Sequence, residues 1–519
     1  MANQGDWTCD ANDAVQLTLV QPGEQKPVTT DIFHPQFTYP IFGDDEQVFG
    51  YKGLIIRLRF ATHDLRTHIH ISYDEKFTAV GDAAAVDLNK ILKEWVAESA
   101  FTKLSDYEGA IQNDTQAMSF TPPGKLIHSY KSKDRNYEIW AGSLADTAVR
   151  KLLERAQVFI PFFIEGGTPL VLDDPEWTLE RWTIYFIYEK VTPPTPTASQ
   201  YAFVGYSTVY RWWFYSQPRE EDKGVVKNGA FPYPEELQLS TLPARLRIAQ
   251  FLILPPHQGS GHGSQLYNII HKACVADKTV VELTIEDPNE AFDVLRDSSD
   301  YHNLYQDFLK QDININPNPY PENTGKRRPR LMPTASLIPT QKLTEMRAKY
   351  KVAPTQFAHI LEMYLLSRIP HRKRASGGAN MASLLIKKHN ANDEDDRRYY
   401  WWRMLVKQRL YKRSRDILIQ LDLPDRIQKL DETVTNVEEG YEALLTVFDA
   451  REKGRATSVP ATSDSTDEAM AAAATVAEGA TTMRAKRKYA IEDEDDEDED
   501  DENEEDRSAR TEAAKRPKV

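Results

Sequence analysis

A short run of glycines between a strand pattern and a helical pattern constrains this chain more than anything else in it. Leu246, Ile248, Leu252 and Leu254 are nearly alternate apolar residues, the period of a strand, and Pro255-Pro256 ends that pattern. Gln258-Gly259-Ser260-Gly261-His262-Gly263 follows. Leu266, Ile269, Ile270, Ala273 and Cys274 then recur at steps of three and four, which places them on one helix face. Val280 to Ile285 reads as a second apolar strand. The spacing predicts strand, glycine turn, helix, strand.

Three glycines ahead of a helix leave backbone N–H groups free, and the helix start adds partial positive charge, so phosphate is the natural guest. The run lacks the G-x-G-x-x-G spacing of a dinucleotide fold and the Gly-Lys-Ser/Thr ending of a Walker loop. It matches Q-x-x-G-x-G through Gln258, Gly261 and Gly263. By itself this motif also fits a glycine-rich turn that holds no ligand.

The match resembles the coenzyme A pyrophosphate loop of the GCN5-related N-acetyltransferase (GNAT) superfamily. A wider run, Phe251-Leu252-Ile253-Leu254 through the glycines to Glu286-Asp287-Pro288 and Leu295-Arg296-Asp297, resembles the catalytic subunit of type B histone acetyltransferases. Ile41-Phe42-Gly43-Asp44-Asp45-Glu46 and Val204-Gly205-Tyr206-Ser207-Thr208-Val209-Tyr210 are similar to further stretches of that family, and the resemblance covers roughly residues 7 to 310. It implies acetyl-CoA as cosubstrate and no metal. Backbone groups of Phe251, Leu252 and Ile253 are expected to hold the pantetheine arm and the thioester carbonyl. Gln258, Gly259, Ser260, Gly261, His262 and Gly263 are expected at the pyrophosphate, with Arg296 a further cofactor contact.

Acetyl transfer to lysine needs a base, because the ammonium has a pKa near ~10.4 and no lone pair until it loses a proton. Asp287-Pro288-Asn289-Glu290 reads as a helix start, with Asp287 as N-cap, Pro288 at N1 and Glu290 at N3. That leaves Glu286 without a structural duty, and it is expected to be the general base, raised in pKa by burial and by Asp287. The family's catalytic carboxylates match Glu286, Asp287 and Glu165, the last placed near the lysine. The loop Asp44-Asp45-Glu46 is equally a solvated acidic turn; the resemblance implies that it meets a basic histone tail. Tyr210, Arg211 and Trp212 fall on family positions near the same peptide. An aromatic cluster of this kind also packs a core. The alternating pair His68 and His70 reads as packing, since no cysteine or carboxylate stands at metal-ligand spacing.

The expected fold is α+β with an α/β centre: an N-terminal mixed α/β domain over 1–135, a GNAT fold over 136–312, a helical domain over 313–450 and a disordered acidic tail over 451–519. Proline-rich Asn314 to Pro321 and the basic cluster Lys326 to Arg330 mark the second boundary. Helices are expected over Ala85 to Glu98, Thr355 to Ser367 and Arg397 to Gln420. Another is marked by Ile427, Leu430, Val434, Val437, Tyr441, Leu444 and Phe448. That last stripe has coiled-coil spacing but reads as packing on its own domain.

The net charge of −15 belongs to the tail. From Glu492 to Asp506, 14 of 15 residues are acidic, and without them 65 acidic residues face 64 basic ones. Basic clusters at Arg484 to Lys488 and Lys515 to Lys518 look like nuclear import signals, so cytoplasm and nucleus are expected. No apolar run approaches the ~18 residues that span a bilayer, and two cysteines, Cys9 and Cys274, fit a reducing compartment. Cys274, on the apolar helix face, reads as core.

These expectations add up to a lysine acetyltransferase for free histone H4, with histone H3 alongside and a WD40-propeller histone-binding subunit as partner by resemblance. Direct nucleic-acid binding is not expected. An acetyltransferase for another protein lysine or a polyamine, and a non-catalytic acidic histone chaperone, are the competing readings.

Overall fold

A six-stranded sheet, a four-stranded sheet, two small two-stranded sheets and a bundle of helices carry residues 7–81, 83–213, 242–320, 332–375 and 392–457, the part described by a computed structural model of the chain. The tail from residue 458, with its acidic run and basic clusters, lies outside the described residues, as does the basic cluster at 326–330.

The N-terminal sheet contains β1 (Val15–Gln21), β2 (Val28–Thr29), β3 (Ile55–Ala61) and β4 (Thr67–Ser72) in the order β2-β1-β3-β4, with β1 and β3 parallel. Strict alternation buries Ile56, Leu58 and Phe60 on one face. His68 stacks on Tyr107 at 5.0 Å and bonds the Thr102 carbonyl at 3.1 Å, a packing role. Helix in the 85–98 stretch is confined to Leu88–Leu92, where Asp87 caps the start.

The larger sheet has six strands: β5 (Lys125–Ser132), β6 (Arg135–Ser143), β7 (Trp182–Lys190), β8 (Tyr201–Trp213), β9 (Ala244–Ile253) and β10 (Val280–Ile285). They lie in chain order across the sheet, antiparallel throughout except for the parallel pair β9–β10. One face, with Ile184, Phe186, Tyr206 and Leu252, packs in a common core with the N-terminal sheet and helix α1 (Thr147–Ala156). The opposite face, with Tyr137, Tyr185, Val209 and Ile248, is covered by α2 (His262–Ala276) through Leu266, Ile269, Ile270 and Cys274. The residues picked out by their spacing are thus the ones buried. Cys274 is core, and burial pushes its thiol up to about 12.

Helix α3 (Glu290–Lys310) joins the sheet to the C-terminal helices α4 (Thr340–Tyr350), α5 (Pro354–Ser367), α6 (Glu394–Arg413) and α7 (Leu423–Thr457). Tyr301, Leu304 and Phe308 of α3 share one core with Ile360 and Tyr364 of α5, Trp402 of α6, and Val434, Tyr441 and Phe448 of α7. The heptad-like stripe is therefore spent within this cluster, although Ile427 near its start stays 51% exposed. Helix α6 departs from the expected 397–420. It starts at Glu394, where Asp393 accepts from the N–H groups of Asp395 and Asp396, and it breaks at Ser414 before a short turn, Arg415–Leu418. Among the described residues no helix is long and apolar enough to cross a membrane.

Candidate active site

Strand β9 outruns its parallel neighbour. Ile248 pairs with Ile285, the last residue of β10, and the Glu286 N–H donates to the Ile248 carbonyl at 2.9 Å. Against β8, the register slips at Ala249, an extra residue between Ile248 and Gln250 that bends the strand. Beyond it, the Leu254 N–H donates to the Val204 carbonyl of β8 at 2.9 Å. Alternation therefore turns Leu252 towards β8, and the backbone groups of Phe251 and Ile253 towards the gap left by β10. Gln258 Nε2 takes the Ile253 carbonyl at 2.8 Å, so its side chain ties the turn to the strand.

The turn follows a 3₁₀ segment, Pro255–His257. Gly259 and Gly261 have φ of +69° and +81°, values that glycine adopts freely. Gly261 is the N-cap of α2, with no side chain bonded to the helix start, and nothing lies within 4 Å of a Cβ built on Gly259. The first N–H groups of a 15-residue helix thus face an open, uncapped end. Gly263 serves packing instead: a Cβ there would approach Leu295 Cδ1 to 2.6 Å. The turn is anchored on the β5–β6 hairpin, where Ser132 Oγ donates to the Ser260 carbonyl at 3.0 Å and Tyr130 Oη meets His262 Nδ1 at 2.8 Å. The His262 ring is buried 4.2 Å from Tyr137. Burial, then His257 and Lys133, lower its pKa to about 4, so the imidazole is neutral at pH 7. Its side chain anchors the turn from below. Arg296, expected at the cofactor, is buried on α3 with its Nε 3.9 Å from Asp300 Oδ2.

Glu286 and Asp287 stand at the open end of β10, both exposed. The burial expected to raise Glu286 is therefore not supplied by its own chain. Asp287 is not the helix cap: it holds a φ of +36°, and two residues on Asn289 Oδ1 accepts the Phe292 N–H at 2.9 Å as the cap of α3. Across the gap the charge of Glu286 reaches the Tyr210 phenol. Burial raises that phenol, the Arg247 bond lowers it, and Glu286 raises it again. Tyr210 lies against Trp182 at 4.6 Å and Trp212 at 6.4 Å, with the Arg181 guanidinium 5.7 Å from its ring. Trp182 was missed in the sequence. It sits directly opposite Tyr210 on β7, and only strand pairing reveals that. Arg211 projects to the other face, where it holds Thr279 Oγ1 at 2.8 Å and Asp277 Oδ2 at 2.5 Å. Despite burial, the Arg211 bond and the bonds donated by the Thr279 hydroxyl and N–H lower the Asp277 carboxyl to about 2. Arg211 is thus a strut between β8 and the turn behind α2.

In the acidic loop, Asp44 and Asp45 are exposed, but Glu46 is not available in the same way. Its carboxylate accepts from the Thr38 N–H, from the Tyr39 N–H at 3.0 Å and from Asn12 Nδ2 at 2.9 Å; the Thr38 bond leads in holding its pKa down. Glu46 builds the loop that presents the two aspartates. That loop is tied to the gap in steps. The Gly166 N–H donates to Tyr39 Oη at 3.0 Å, and Gln250 Nε2 donates to the Thr168 carbonyl at 2.9 Å. Glu165, exposed at the end of the short helix Ile160–Phe163, lies in the loop so tethered. Among the described residues no cluster of three His, Cys, Asp or Glu side chains is arranged to hold a metal ion.

This arrangement offers backbone donors and an uncapped helix start to an anionic, extended molecule, with carboxylates and an aromatic wall beside it. Comparison with known proteins places the chain in a family. A family model described as the histone acetyl transferase HAT1 N-terminus matches residues 7–165. Three curated relatives are each named histone acetyltransferase type B catalytic subunit. The Aspergillus oryzae protein is 63% identical over 522 residues, covering 100% of both chains. The Aspergillus fumigatus protein is 62% identical, over 94% of this chain and 86% of its own length. The Neurospora crassa protein is 37% identical, over 88% and 90% respectively.

Proposed function

Because the chain belongs to the type B histone acetyltransferase catalytic subunits, and is thus an acetyltransferase, we propose that it transfers acetyl from acetyl-CoA to lysine ε-amines in the tail of free histone H4. The observation that carries this reading is the gap beyond β10. Phe251 and Ile253 turn backbone groups into it, the uncapped start of α2 closes one end, and Glu286 stands at the other. We read the β9–α2–β10 unit as the core of a GNAT fold. In it, the N–H groups around Gly261 bind the pyrophosphate, and the exposed edge of β9 aligns the pantetheine arm.

Glu286 takes the proton from the lysine ammonium, and Glu165 and Asp287 hold the cation in place beforehand. A tail lying over Tyr210, Trp182 and Trp212 covers Glu286 and supplies the desolvation that the chain alone does not. Asp44 and Asp45 draw the basic peptide towards the aromatic wall, an effect that salt screens. The amine attacks the thioester directly. Cys274 is buried with its thiol pushed up to about 12, and the Cys9 thiol is also raised, first by burial and then by Asp10, so neither is suited to carry an acetyl group. By family likeness the partner is a WD40-propeller histone-binding subunit, and histone H3 accompanies H4.

The test is incubation of the full chain with labelled acetyl-CoA and core histones. Label on H4 alone is the expected result. Label on other proteins or on polyamines would move the substrate class, and no label on any amine would leave a histone-binding protein without this activity.

A further inference from the structure

Four consecutive residues after the long α3, Lys349 to Val352 at the end of α4, touch α2, β10 and α3. His271 Nε2 of α2 donates to the Tyr350 carbonyl at 2.8 Å, and Tyr350 Oη donates to Asp307 Oδ2 of α3 at 2.8 Å. Lys351 Nζ donates to the Cys274 carbonyl in the last turn of α2 at 3.0 Å and to the carbonyl of its C-cap, Asp277. The Leu283 N–H of β10 donates to the Lys351 carbonyl at 2.9 Å, and Leu283 and Val352 form a parallel bridge. A cation at a helix C-terminus satisfies its carbonyls and complements its dipole. Lys351 does this from φ +51°, a conformation that disfavours any residue with a Cβ and suits glycine. A lysine held there points to a duty for its side chain.

We propose that Lys351 is a positioning residue for acetyl transfer: it pins the end of α2 and the outer edge of β10, and so sets Glu286 against the gap. The proposal rests on the reading of Glu286 as the base. The two walls of the site are held separately. The glycine turn is fastened by Tyr130–His262 and Ser132–Ser260 at the far end of α2, whereas β10 is steadied on its outer side by residues 351–352. The ammonium fixes residue 351 on the end of α2 and its carbonyl in turn holds β10, so loss of the ammonium loosens that carbonyl and shifts the carboxylate, while the glycine turn stays fastened.

Full-length K351M, K351R and K351G variants separate this from plain stability. With acetyl-CoA and an H4 tail peptide, K351M is expected to lose about tenfold or more in kcat, since misplacement by an ångström costs on the order of 10²-fold. Its acetyl-CoA Kd by calorimetry should stay within about threefold. K351R, which keeps the charge and the donors, should recover most of the rate. K351G, with its backbone relaxed, should melt no lower than K351M yet remain as slow. Wild-type kcat in K351M, equal loss in K351M and K351R, recovery in K351G, or a Kd that rises as far as kcat falls would each overturn the proposal. An inactive wild-type chain would instead remove the acetyltransfer reading beneath it.

Discussion

At the gap, Glu165, Glu286 and Asp287 stand exposed, while the carboxylates of the helical interior are buried and bonded. Glu362 of α5 takes the Arg409 guanidinium through two bonds of 2.8 Å and the Tyr441 hydroxyl at 3.0 Å. Asp300 of α3 takes Tyr267 at 2.8 Å and Gln356 at 3.1 Å, and Glu438 of α7 takes Tyr399 at 2.7 Å and Arg403 at 3.3 Å. On the proposed reading, the same side-chain chemistry serves two ends. A carboxylate that must receive a proton from a visiting amine has to be reachable. One that locks helices together has to have its lone pairs filled, because an unfilled buried charge is costly. The two regions are also physically joined, since Tyr267 belongs to the helix whose start faces the gap.

Substitutions on the two sides should therefore separate turnover from stability. The largest expected effect is Glu286→Gln, which should lower kcat by about 10²–10⁴-fold with the acetyl-CoA Kd and the Tm unchanged. Normal turnover in this variant would take Glu286 out of the reaction and break the comparison at its functional end. Next is Glu362→Ala, which takes from the half-buried Arg409 guanidinium its carboxylate partner, leaving it the His359 ring at 3.0 Å, and should cost about 3 kcal/mol in urea unfolding. Activity per folded molecule should be retained, and a fall in kcat without a shift in midpoint would contradict the structural role. Gly261→Ala asks a residue with a Cβ to hold φ +81°. A cost of about 1–2 kcal/mol should appear as roughly tenfold weaker acetyl-CoA binding, with kcat at saturation nearly intact.

The interior also predicts a pH dependence. Burial, opposed by the Gln356 bond, raises the Asp297 carboxyl to about 7. The folded chain then binds a proton that the unfolded chain, with its ordinary carboxyl, has released. This contribution is fully present at pH below about 4 and is lost as pH rises to about 7. Asp297→Asn removes the titration. Its stability relative to the parent should climb across that window and level off above it, as followed by denaturant midpoints at a series of pH values. A flat difference would place Asp297 in a more solvated setting.

Much of the site's framework was legible. The strand Val280–Ile285 and the buried helix face Leu266, Ile269, Ile270 and Cys274 follow from residue spacing. The glycine positions 259 and 261 show the positive φ that an anion-binding turn needs. Individual side chains were harder. Glu46, Arg211 and Arg296 look alike as charges in a linear reading, yet the structure shows what each one engages within the chain: Glu46 meets Asn12, Arg211 meets Asp277 and Arg296 lies beside Asp300. Trp182 was overlooked because its neighbour Tyr210 is brought beside it only by strand pairing. The capping assignment slipped by two residues because φ at Asp287 cannot be read from residue types.

Periodicity and turn chemistry are local, set within a few residues by backbone sterics and by which side chains must leave water, so the sequence alone determined the order strand, turn, helix, strand and the place of the glycine turn. Whether a given charge is free to meet a substrate or is already satisfied depends on what lies opposite it in space. The tertiary structure alone decided that, when it left β9 longer than β10 and laid the C-terminal helices against the back of the same unit.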